Sequence, residues 1–387
     1  MLAHNFPPTA LRSTVVSRLL LQYQSLKELV SYRYRAFRAG DKANFVYSNI
    51  NAQRFSLDAS KNAYTLLTHV GAPEVVLIDQ EGSPVHRWYY DPHRLFPDRK
   101  GMKLVVRHAE LLSDGTLLCI YEAPSTTPYG VGMACFDKNS NLLWKQSLNI
   151  HHSLVQSPQK EIYALFHDLI TLKNRQILED GILQLSPSGD IKSKKSISDM
   201  FRYSDYKNFI SEPNYDYLHG NSLSFIQKTI RLGTTTIHPG DLLLSLRNIS
   251  VIAIIDQTSL TVKWAIKNYT NMQHSPEQLK NGNILVYDNL GNLNPYRSSS
   301  AISRVIEFDP VSLKTTWQYL GSVNSPLFVT PTGSNSQGLA NGNVLICLDQ
   351  KGIIEVSRDK RVLWRLDFPV LYAKRYPASE LSFLGGI

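Results

Sequence analysis

Residues 75–88 read VVLIDQEGSPVHRW, an apolar run followed by an aspartate, a polar turn and a short segment that closes on Trp88. Two such runs around a polar turn predict two antiparallel strands joined by a tight hairpin. Four other stretches have much the same form and also close on tryptophan: MACFDKNSNLLW (133–144), IAIIDQTSLTVKW (252–264), VIEFDPVSLKTTW (305–317) and IIEVSRDKRVLW (353–364). The chain therefore contains an internal repeat.

The intervals between the five tryptophans indicate how many repeats there are. They are 56, 120, 53 and 47 residues, so the second interval has room for two repeats. Residues 182–197, ILQLSPSGDIKSKKSI, supply the missing copy, with Ser186 in place of the aspartate and no tryptophan. The sequence therefore predicts six repeats.

A second phrase precedes most of these hairpins and contains Asp or Asn followed by Gly. The clear copies are HAELLSDGTLLCIYE (108–122), QHSPEQLKNGNILVYDN (273–289) and SQGLANGNVLICLD (336–349), and weaker copies start at His151 and His219. Asp-Gly or Asn-Gly between apolar runs is the strongest short-range signal for a hairpin. Each repeat thus supplies four short antiparallel strands. The prediction is an all-β fold, a six-bladed β-propeller, with the tryptophans packed in the core between blades.

The N-terminal segment differs from the repeats. Its apolar residues recur at helical spacing between basic residues, which predicts a basic amphipathic helical segment over residues 1–45. We expect the propeller over residues 46–375 and a C-terminal tail over 376–387. The helix is expected to pack on the propeller or on a second copy in a homodimer, or to contact an anionic membrane surface weakly. No signal peptide or transmembrane segment is recognisable, so the default expectation is a cytoplasmic protein.

Composition and charge exclude several classes of function. The chain of 387 residues has a net charge of +9, and residues 1–45 account for +5 of it. The rest is spread too thinly for a nucleic-acid partner. Three cysteines (Cys119, Cys135 and Cys347) lie in apolar runs without the paired spacing of a zinc site, so we expect buried thiols. No phosphate-binding G-x-x-x-x-G-K-[ST] loop occurs, which argues against a nucleotide substrate.

Histidines recur where the first strand of a repeat begins. They are His108, His152 next to His151, His219 and His274. Because first strands line the central channel of a propeller, we expect these side chains to converge on the axis.

Their neighbours Asn221 and Arg247 are neutral or cationic and suit a tetrahedral oxyanion, whereas nearby acids leave a metal site as an alternative: Glu110, Asp216, Glu277 and Asp288. His167 lies outside these segments and is predicted to be structural. Tyr129 and Tyr296, in longer loops, either shape an aryl pocket or simply pack.

Several of these phrases resemble the arylsulfotransferase family, in its type that needs no nucleotide sulfate donor. They are residues 62–88, the His-His pair in HHSLVQ, DYLHGNS (216–222), SLRN (245–248) and residues 273–289. The resemblance implies a six-bladed propeller without a cofactor. It also implies transfer of a sulfuryl group from an aryl sulfate donor to a phenolic acceptor, in ping-pong fashion through a sulfohistidine. Secreted members make a periplasmic location the alternative.

The resemblance also implies a role for individual residues. His274 corresponds to the nucleophile, His219 and Asn221 to groups that hold the sulfuryl oxygens, and Arg247 to the arginine that neutralises the donor sulfate. His152 corresponds to the histidine near the phenolic oxygen, and its neighbour His151 and His108 are expected to contribute to substrate binding. Ser153 departs from the acidic residue expected after the His-His pair.

Two other classes of function fit the same pattern of residues. One is a propeller without catalytic activity that binds a ligand or a protein on one face. The other is a metal-dependent hydrolase or lyase that uses the same histidines as ligands.

Overall fold

A computed structural model describes residues 52–124, 126–210, 215–291, 303–320, 330 and 332–385. The predicted helical segment 1–45 lies outside these residues, as does Tyr296. Six antiparallel sheets of four main strands confirm the six-bladed propeller. In the part of the chain that the structure describes, no helix has the length and apolar character needed to cross a bilayer.

Blades are numbered along the chain, and each is given from its inner to its outer strand. Blade 1 consists of β27 (Val370–Pro377), β2 (Ala63–His69), β3 (Glu74–Ile78) and β4 (Pro84–Tyr89). Blade 2 consists of β5 (Val105–Leu111), β6 (Leu117–Glu122), β7 (Gly130–Phe136) and β8 (Leu142–Gln146). Blade 3 consists of β9 (Ile150–Gln156), β10 (Ile162–Leu172), β11 (Arg175–Leu185) and β12 (Ile191–Ser196).

The second half of the ring has two additions to the common pattern. Blade 4 consists of β13 (Gly220–Phe225), β16 (Leu242–Leu246), β17 (Val251–Ile255) and β18 (Val262–Lys267), with a small hairpin of β14 (Ile230–Leu232) and β15 (Thr235–Ile237). Blade 5 consists of β19 (His274–Gln278), β20 (Ile284–Asp288), β21 (Arg304–Phe308) and β22 (Thr315–Tyr319). Blade 6 consists of β23 (Asn335–Gly338), β24 (Val344–Leu348), β25 (Gly352–Val356) and β26 (Val362–Leu366), with β1 (Ala52–Arg54) on its outer edge.

Short helices occur only in the connections among the described residues. They are α1 (Pro92–Leu95), α2 (Ile197–Arg202) and four 3₁₀ turns at Pro97–Arg99, Lys207–Phe209, Ala378–Glu380 and Ser382–Leu384.

The ring closes by pairing the two ends of the described chain in blade 1. The C-terminal strand β27 is its innermost strand and runs antiparallel to β2, with Leu67 opposite Ala373. The domain boundary predicted at residue 375 falls inside this strand. Beyond it, Ser382 donates a hydrogen bond from Oγ to the carbonyl oxygen of Ser113, and Phe383 packs against Trp88. The last described residues therefore lie against blades 1 and 2.

The repeated aspartate has a local structural role in the outer hairpins. Oδ1 of Asp79 accepts hydrogen bonds from the backbone N–H groups of Glu81 and Ser83, at 3.0 and 2.7 Å. Such side-chain bonds to the backbone favour a turn over continued strand. In blade 3, Oγ of Ser186 accepts from the N–H of Asp190 at 3.1 Å and so does the same in place of the aspartate.

The tryptophans lie on the outermost strands and join each blade to the next. Four indole N–H groups donate to a backbone carbonyl in a turn of the following blade: Trp88 to Gly115, Trp144 to Pro187, Trp317 to Arg358 and Trp364 to Gln80. Trp264 packs on apolar residues of blades 4 and 5. Four of the five are buried, as predicted, but Trp144 is half-buried. It packs over the backbone of Gly189, in a turn at the molecular surface.

Candidate active site

One end of the central channel gathers the predicted histidines because the inner strands begin there. All four of the inner strands that carry these histidines contain a bulge near that end: β5 between Val106 and His108, β9 between His151 and Leu154, β13 between Gly220 and Ser222, and β19 between His274 and Glu277. A bulge inserts unpaired residues and turns their side chains away from the regular alternation. His152 and His219 also have positive φ angles, 55° and 50°. Non-glycine residues in this region are uncommon and occur often at functional sites.

His274 is held by one ring nitrogen. Its Nδ1 lies 2.7 Å from Oδ1 of Asn289 and 3.2 Å from the carbonyl oxygen of Met272. The Asn289 amide has a fixed orientation, because its Nδ2 donates to the carbonyl oxygens of Thr330 and Gly333. Its Oδ1 therefore accepts, and Nδ1 of His274 must carry the proton. The Nε2 atom is left with a lone pair.

Electrostatics keep His274 neutral. The side chain is buried, and desolvation is the largest cause that holds its pKa well below the ordinary value. The positive charge of Arg247 is the next cause, and the hydrogen bond that His274 donates to Asn289 acts in the opposite direction. A neutral imidazole with a free Nε2 lone pair is a competent nucleophile.

The D-x-x-H-x-N-S motif orients a second histidine. Nδ1 of His219 lies 2.6 Å from Oδ2 of Asp216, so this carboxylate fixes the ring and its Nε2 is the atom free for other contacts. Nδ2 of Asn248 donates to the backbone carbonyl of Asp216 at 2.5 Å, and Oδ1 of the same amide accepts from Nη1 of Arg247 at 2.7 Å. Arg247 is therefore oriented by the same motif.

The last two residues of that motif connect blade 4 to blade 5. Asn221 donates from Nδ2 to the carbonyl oxygen of Gln273 at 2.8 Å, and Oγ of Ser222 accepts from the N–H of Ser275 at 3.0 Å. Both bonds flank His274 along the chain. They fix the position of β19 relative to β13, and with it the position of the His274 ring.

The His-His pair lies against an acidic side chain from blade 2. Oε1 of Glu122 accepts from the backbone N–H of His152 at 2.7 Å and lies 3.0 Å from its Nδ1. The ring of His152 contacts that of His219, with centroids 4.9 Å apart. Burial lowers the pKa of His152 to about 3, against the opposing effect of Glu122. Burial acts to raise the pKa of Glu122, but the interactions with His152 and the charge of Arg107 outweigh it and lower that pKa to about 2.

His151 is buried behind His152. Its Nδ1 lies 3.0 Å from Nδ1 of His152, and its Nε2 lies 3.1 Å from Oδ1 of Asp180, an ion-pair distance at an angle outside hydrogen-bond geometry. Although burial is the largest cause and acts to lower it, the adjacent carboxylate of Asp180 leaves the pKa of His151 raised. His151 therefore contacts His152 directly, and its predicted role in substrate binding stays a prediction.

His108 lies in the wall between blades. Its Nδ1 accepts from the backbone N–H of Leu154 at 3.0 Å, and its ring contacts Tyr372 of blade 1 with centroids 4.2 Å apart. Burial, followed by the charges of Lys374 and Arg107, lowers its pKa to about 3. These contacts make His108 a neutral hydrogen-bond acceptor in this wall, and its expected contribution to substrate binding stays a prediction.

Sequence reasoning missed several polar residues that end the second strand of a blade. The missed residues are His69, Glu122 and Asp349, at the ends of β2, β6 and β24, and His167 within β10, whereas Arg247 and Asp288 at the ends of β16 and β20 were already named from the sequence. Comparing this position across the six repeats is the signal that finds them. His167 stacks on His151 with ring centroids 4.4 Å apart and contacts Tyr129. His167 therefore belongs to the site cluster.

Arg107 and Tyr129 complete the site. Arg107 lies between the carboxylates of Glu122 and Asp349, each about 4.0 Å away, and its charge lowers the pKa of His274.

The ring of Tyr129 lies within 6 Å of the rings of four histidines: His151, His152, His167 and His219. Its hydroxyl is buried and makes no hydrogen bond to the described residues. Burial raises its pKa, so the phenol is neutral.

Two groups of side chains in the described residues have the spacing of metal ligands. They are Glu122, His151 and His152, and His151, His167 and Asp180. In each group the ligand atoms lie within 4.8 Å of one another.

The profile of the family described as Arylsulfotransferase (ASST) matches residues 108–369, more than half of the chain. The chain belongs to the arylsulfotransferase family. The match includes His108, His151, His152, His219, Asn221, Arg247 and His274. Membership supports sulfotransferase chemistry in general.

Solved structures show the propeller fold alone, at low identity. A protein of unknown function from Bacteroides caccae is 13% identical with a TM-score of 0.54, over 81% of this chain and 99% of that chain. A streptogramin B lyase is 10% identical with a TM-score of 0.44, over 83% and 89%. Virginiamycin B lyase from Staphylococcus aureus is 11% identical with a TM-score of 0.43, over 83% and 89%. No curated protein matches the chain.

Proposed function

We propose that this arylsulfotransferase family member moves a sulfuryl group from an aryl sulfate to a phenolic acceptor, with His274 as the covalent carrier. The observation that carries the proposal is the fixed tautomer of His274. Its Nδ1–H is bound by Asn289 and Met272, so the Nε2 lone pair is available near the guanidinium of Arg247.

In the first half-reaction Nε2 of His274 attacks the sulfur of the donor. The bond between sulfur and the phenolic oxygen breaks, a bond between nitrogen and sulfur forms, and the electron pair leaves with the phenolate. In the second half-reaction the oxygen of the acceptor attacks the same sulfur and the nitrogen–sulfur bond breaks. His274 regains its lone pair, which is the requirement of a ping-pong reaction.

Positive charge and N–H donors stabilise the transferred group. Arg247 presents a planar guanidinium that stays charged although burial lowers its pKa. His219, oriented by Asp216, and the remaining N–H of Asn221 are the proposed donors to the other sulfuryl oxygens. Fixed donors in a desolvated channel stabilise developing negative charge more strongly than water does.

His152 is the proposed proton carrier for the phenolic oxygens. Glu122 orients the neutral ring from Nδ1, so the lone pair of Nε2 takes the proton of the acceptor phenol and later returns it to water, while the phenolate of the donor leaves as the anion. Glu122 also performs the orienting function that the sequence led us to expect from an acidic residue at Ser153. The hydroxyl of Ser153 instead accepts from the backbone N–H of Leu223.

The test uses p-nitrophenyl sulfate and phenol with no added cofactor. Wild-type protein should release nitrophenolate, and peptide mapping after donor treatment should find an acid-labile sulfuryl adduct on the His274 peptide. His274→Asn should reduce release to background, whereas His238→Asn, at an exposed histidine, should not change it. Release without an adduct, or equal release by the His274→Asn protein, contradicts the proposal.

Absence of both release and adduct across several aryl sulfates favours the alternative of a propeller without catalytic activity. In that case a ligand or protein partner retained by the wild-type protein should be lost when Arg247 is replaced by Gln.

A further inference from the structure

We propose that His151 and Asp180 are positioning residues that decide which ring nitrogen of His152 carries the proton. The inference rests on the proposed function, because it concerns the step in which His152 takes the proton of the acceptor phenol. When His151 is neutral it accepts the Nδ1–H of His152, and the lone pair on Nε2 of His152 is available. When His151 is protonated it forces His152 into the other tautomer, which cannot act as the base.

The two adjacent histidines face each other through the same ring atom. Nδ1 of His151 lies 3.0 Å from Nδ1 of His152 in hydrogen-bond geometry, so one nitrogen carries a proton and the other accepts it. Two N–H groups cannot face each other at this distance, because neither would have an acceptor. A proton on Nδ1 of His151 therefore moves the proton of neutral His152 from Nδ1 to Nε2.

The other nitrogen of His151 faces a carboxylate. Its Nε2 lies 3.1 Å from Oδ1 of Asp180, and neither atom has a hydrogen-bond partner among the described residues. Oδ2 of Asp180 accepts from the N–H of Gly220 at 2.9 Å, which holds the carboxylate in place. The side chains of His151 and Asp180 are both 0% exposed. Asp180 therefore stabilises a proton on Nε2 of His151, and the neutral ring presents its lone pair to His152 at Nδ1.

Burial and neighbouring charges place the ionisation on His151 rather than on His152. Burial acts to lower the pKa of both rings. At His151 the carboxylate of Asp180, followed by the charges of Glu122 and Asp216, outweighs burial and raises the pKa. At His152 burial prevails over Glu122 and lowers the pKa to about 3. His152 is therefore neutral near pH 7, and only its tautomer responds to pH.

The aromatic neighbours of His151 are neutral. His167 stacks on it with ring centroids 4.4 Å apart, and burial lowers the pKa of His167. Tyr129 lies edge-on at 5.3 Å, and burial raises its pKa. The titratable groups that face His151 are Glu122 of β6, Tyr129 before β7, His152 of β9, His167 of β10, Asp180 of β11 and Asp216 before β13.

These contacts also explain the two groups with the spacing of metal ligands. The Nδ1 atoms of His151 and His152 already share a hydrogen bond. The rings of His151 and His167 are only 21° from parallel, so their in-plane lone pairs do not converge on one ion. The spacing therefore arises from a hydrogen bond, ring stacking and the ion pair with Asp180.

During transfer the same contact carries the positive charge. The proton of the acceptor phenol binds to Nε2 of His152, and the proton on Nδ1 of His152 passes to Nδ1 of His151. The imidazolium then lies beside Asp180. Loss of that proton to water by the reverse path restores the base.

The test isolates the second half-reaction. Protein sulfurylated with p-nitrophenyl sulfate is freed of donor and mixed with phenol over a series of pH values, and the loss of the adduct is timed. The wild-type rate should fall about tenfold per pH unit below a single midpoint. That midpoint should lie above 6.5, the ordinary pKa of histidine.

Two variants change the midpoint in different ways. Asp180→Asn should move it to lower pH, because the carboxylate that stabilises charged His151 is lost. His151→Asn should remove this pH dependence, because an amide oxygen accepts from His152 at every pH. Ionisation of the phenol itself would give the same midpoint in all three proteins, and that result contradicts the inference.

The matched control is Asp168→Asn, which removes a carboxylate from the neighbouring strand of the same hairpin. The Asp168 side chain is 47% exposed and pairs with Lys194 at 2.8 Å, so the midpoint should stay that of the wild-type protein. Circular dichroism checks that each variant is folded.

Nitrogen-15 NMR of wild-type protein with labelled histidines is a second readout that needs no activity. The signals of His152, assigned by their loss in His152→Gln, should change from Nε2–H to Nδ1–H with rising pH as His151 loses its proton. The inference is overturned if His152 keeps one tautomer through this titration, or if folded Asp180→Asn protein keeps the wild-type midpoint. If no adduct forms, the proposed function fails, and the NMR titration alone decides this inference.

Discussion

At the scale of single residues, hydrogen-bond partners divide the histidines of this propeller into two chemical types. His274, His219 and His152 each have Nδ1 beside an oxygen acceptor, which leaves Nε2 for chemistry. Nδ1 of His108 accepts a hydrogen bond from a backbone N–H. This nitrogen therefore carries no proton, and the imidazole is neutral. All four residues are histidines, and only the hydrogen-bond partner of Nδ1 determines which ring nitrogen carries the proton.

The neutral state of His108 predicts a specific dependence of stability on pH. Its folded pKa is lowered to about 3 from an ordinary 6.5, so between these values the unfolded chain binds a proton that the folded protein does not. Its contribution is fully present above pH 6.5 and decreases as the pH falls. One such group costs about 2 kcal/mol of unfolding free energy between pH 7 and pH 5.

His108→Asn should remove this part of the acid sensitivity, because an amide oxygen can accept from Leu154 but does not titrate. The measurement is urea unfolding of both proteins at pH 7 and pH 5, comparing the differences rather than the absolute stabilities. The nearest charges, Lys374, Arg107 and Glu122, are unchanged in the variant. An equal loss of stability in both proteins contradicts this account of His108.

At the scale of the strand, the outermost hairpin of each blade contains two stabilising side chains that can be recognised in the sequence. The aspartate or serine after the third strand fixes the turn, and the tryptophan of the fourth strand reaches the next blade. The spacing of tryptophans along the chain could therefore predict the number of blades. It did not predict that Trp144 is half-buried, because the exposure of an outer strand depends on the neighbouring turn at Gly189.

Replacement of a linking tryptophan should lower stability without changing catalysis. Trp364 is 1% exposed, packs in the core between blades 6 and 1 and donates to the carbonyl oxygen of Gln80. Trp364→Ala should lower the free energy of unfolding by about 3–5 kcal/mol. The control is Tyr203→Ala, whose side chain is 83% exposed and whose change should be within about 0.5 kcal/mol. Chemical denaturation measures both, and similar stabilities for the two variants refute the linking role.

At the scale of the whole molecule, a propeller is stable only as a closed ring. Blade 1 takes its innermost strand, β27, from the C-terminal part of the chain, while β2, β3 and β4 come from near the start of the described residues. Without β27 the hydrogen-bonding edge of β2 is open and faces the channel. Open edges of this kind favour association with other chains.

A chain that ends at residue 369 should therefore lose cooperative unfolding and aggregate. A chain that ends at residue 385 keeps β27 and the two 3₁₀ turns after it, and should unfold like the full chain. Calorimetry and size-exclusion chromatography distinguish the two outcomes. A cooperative transition in the shorter chain would show that the ring does not need this strand.

Local repetition along the chain was enough to predict the number of blades, the strands and turns, and His152, His219 and His274 as candidate site residues, and the family resemblance added a role for Arg247. The tertiary structure alone decided what each candidate contacts. Glu122, Asn289, Arg107 and His167 reach the site from second strands, or from the residue before a predicted histidine, and their separation along the chain conceals that they meet. Charge state and tautomer depend on burial and on partners across blades, which local patterns do not encode.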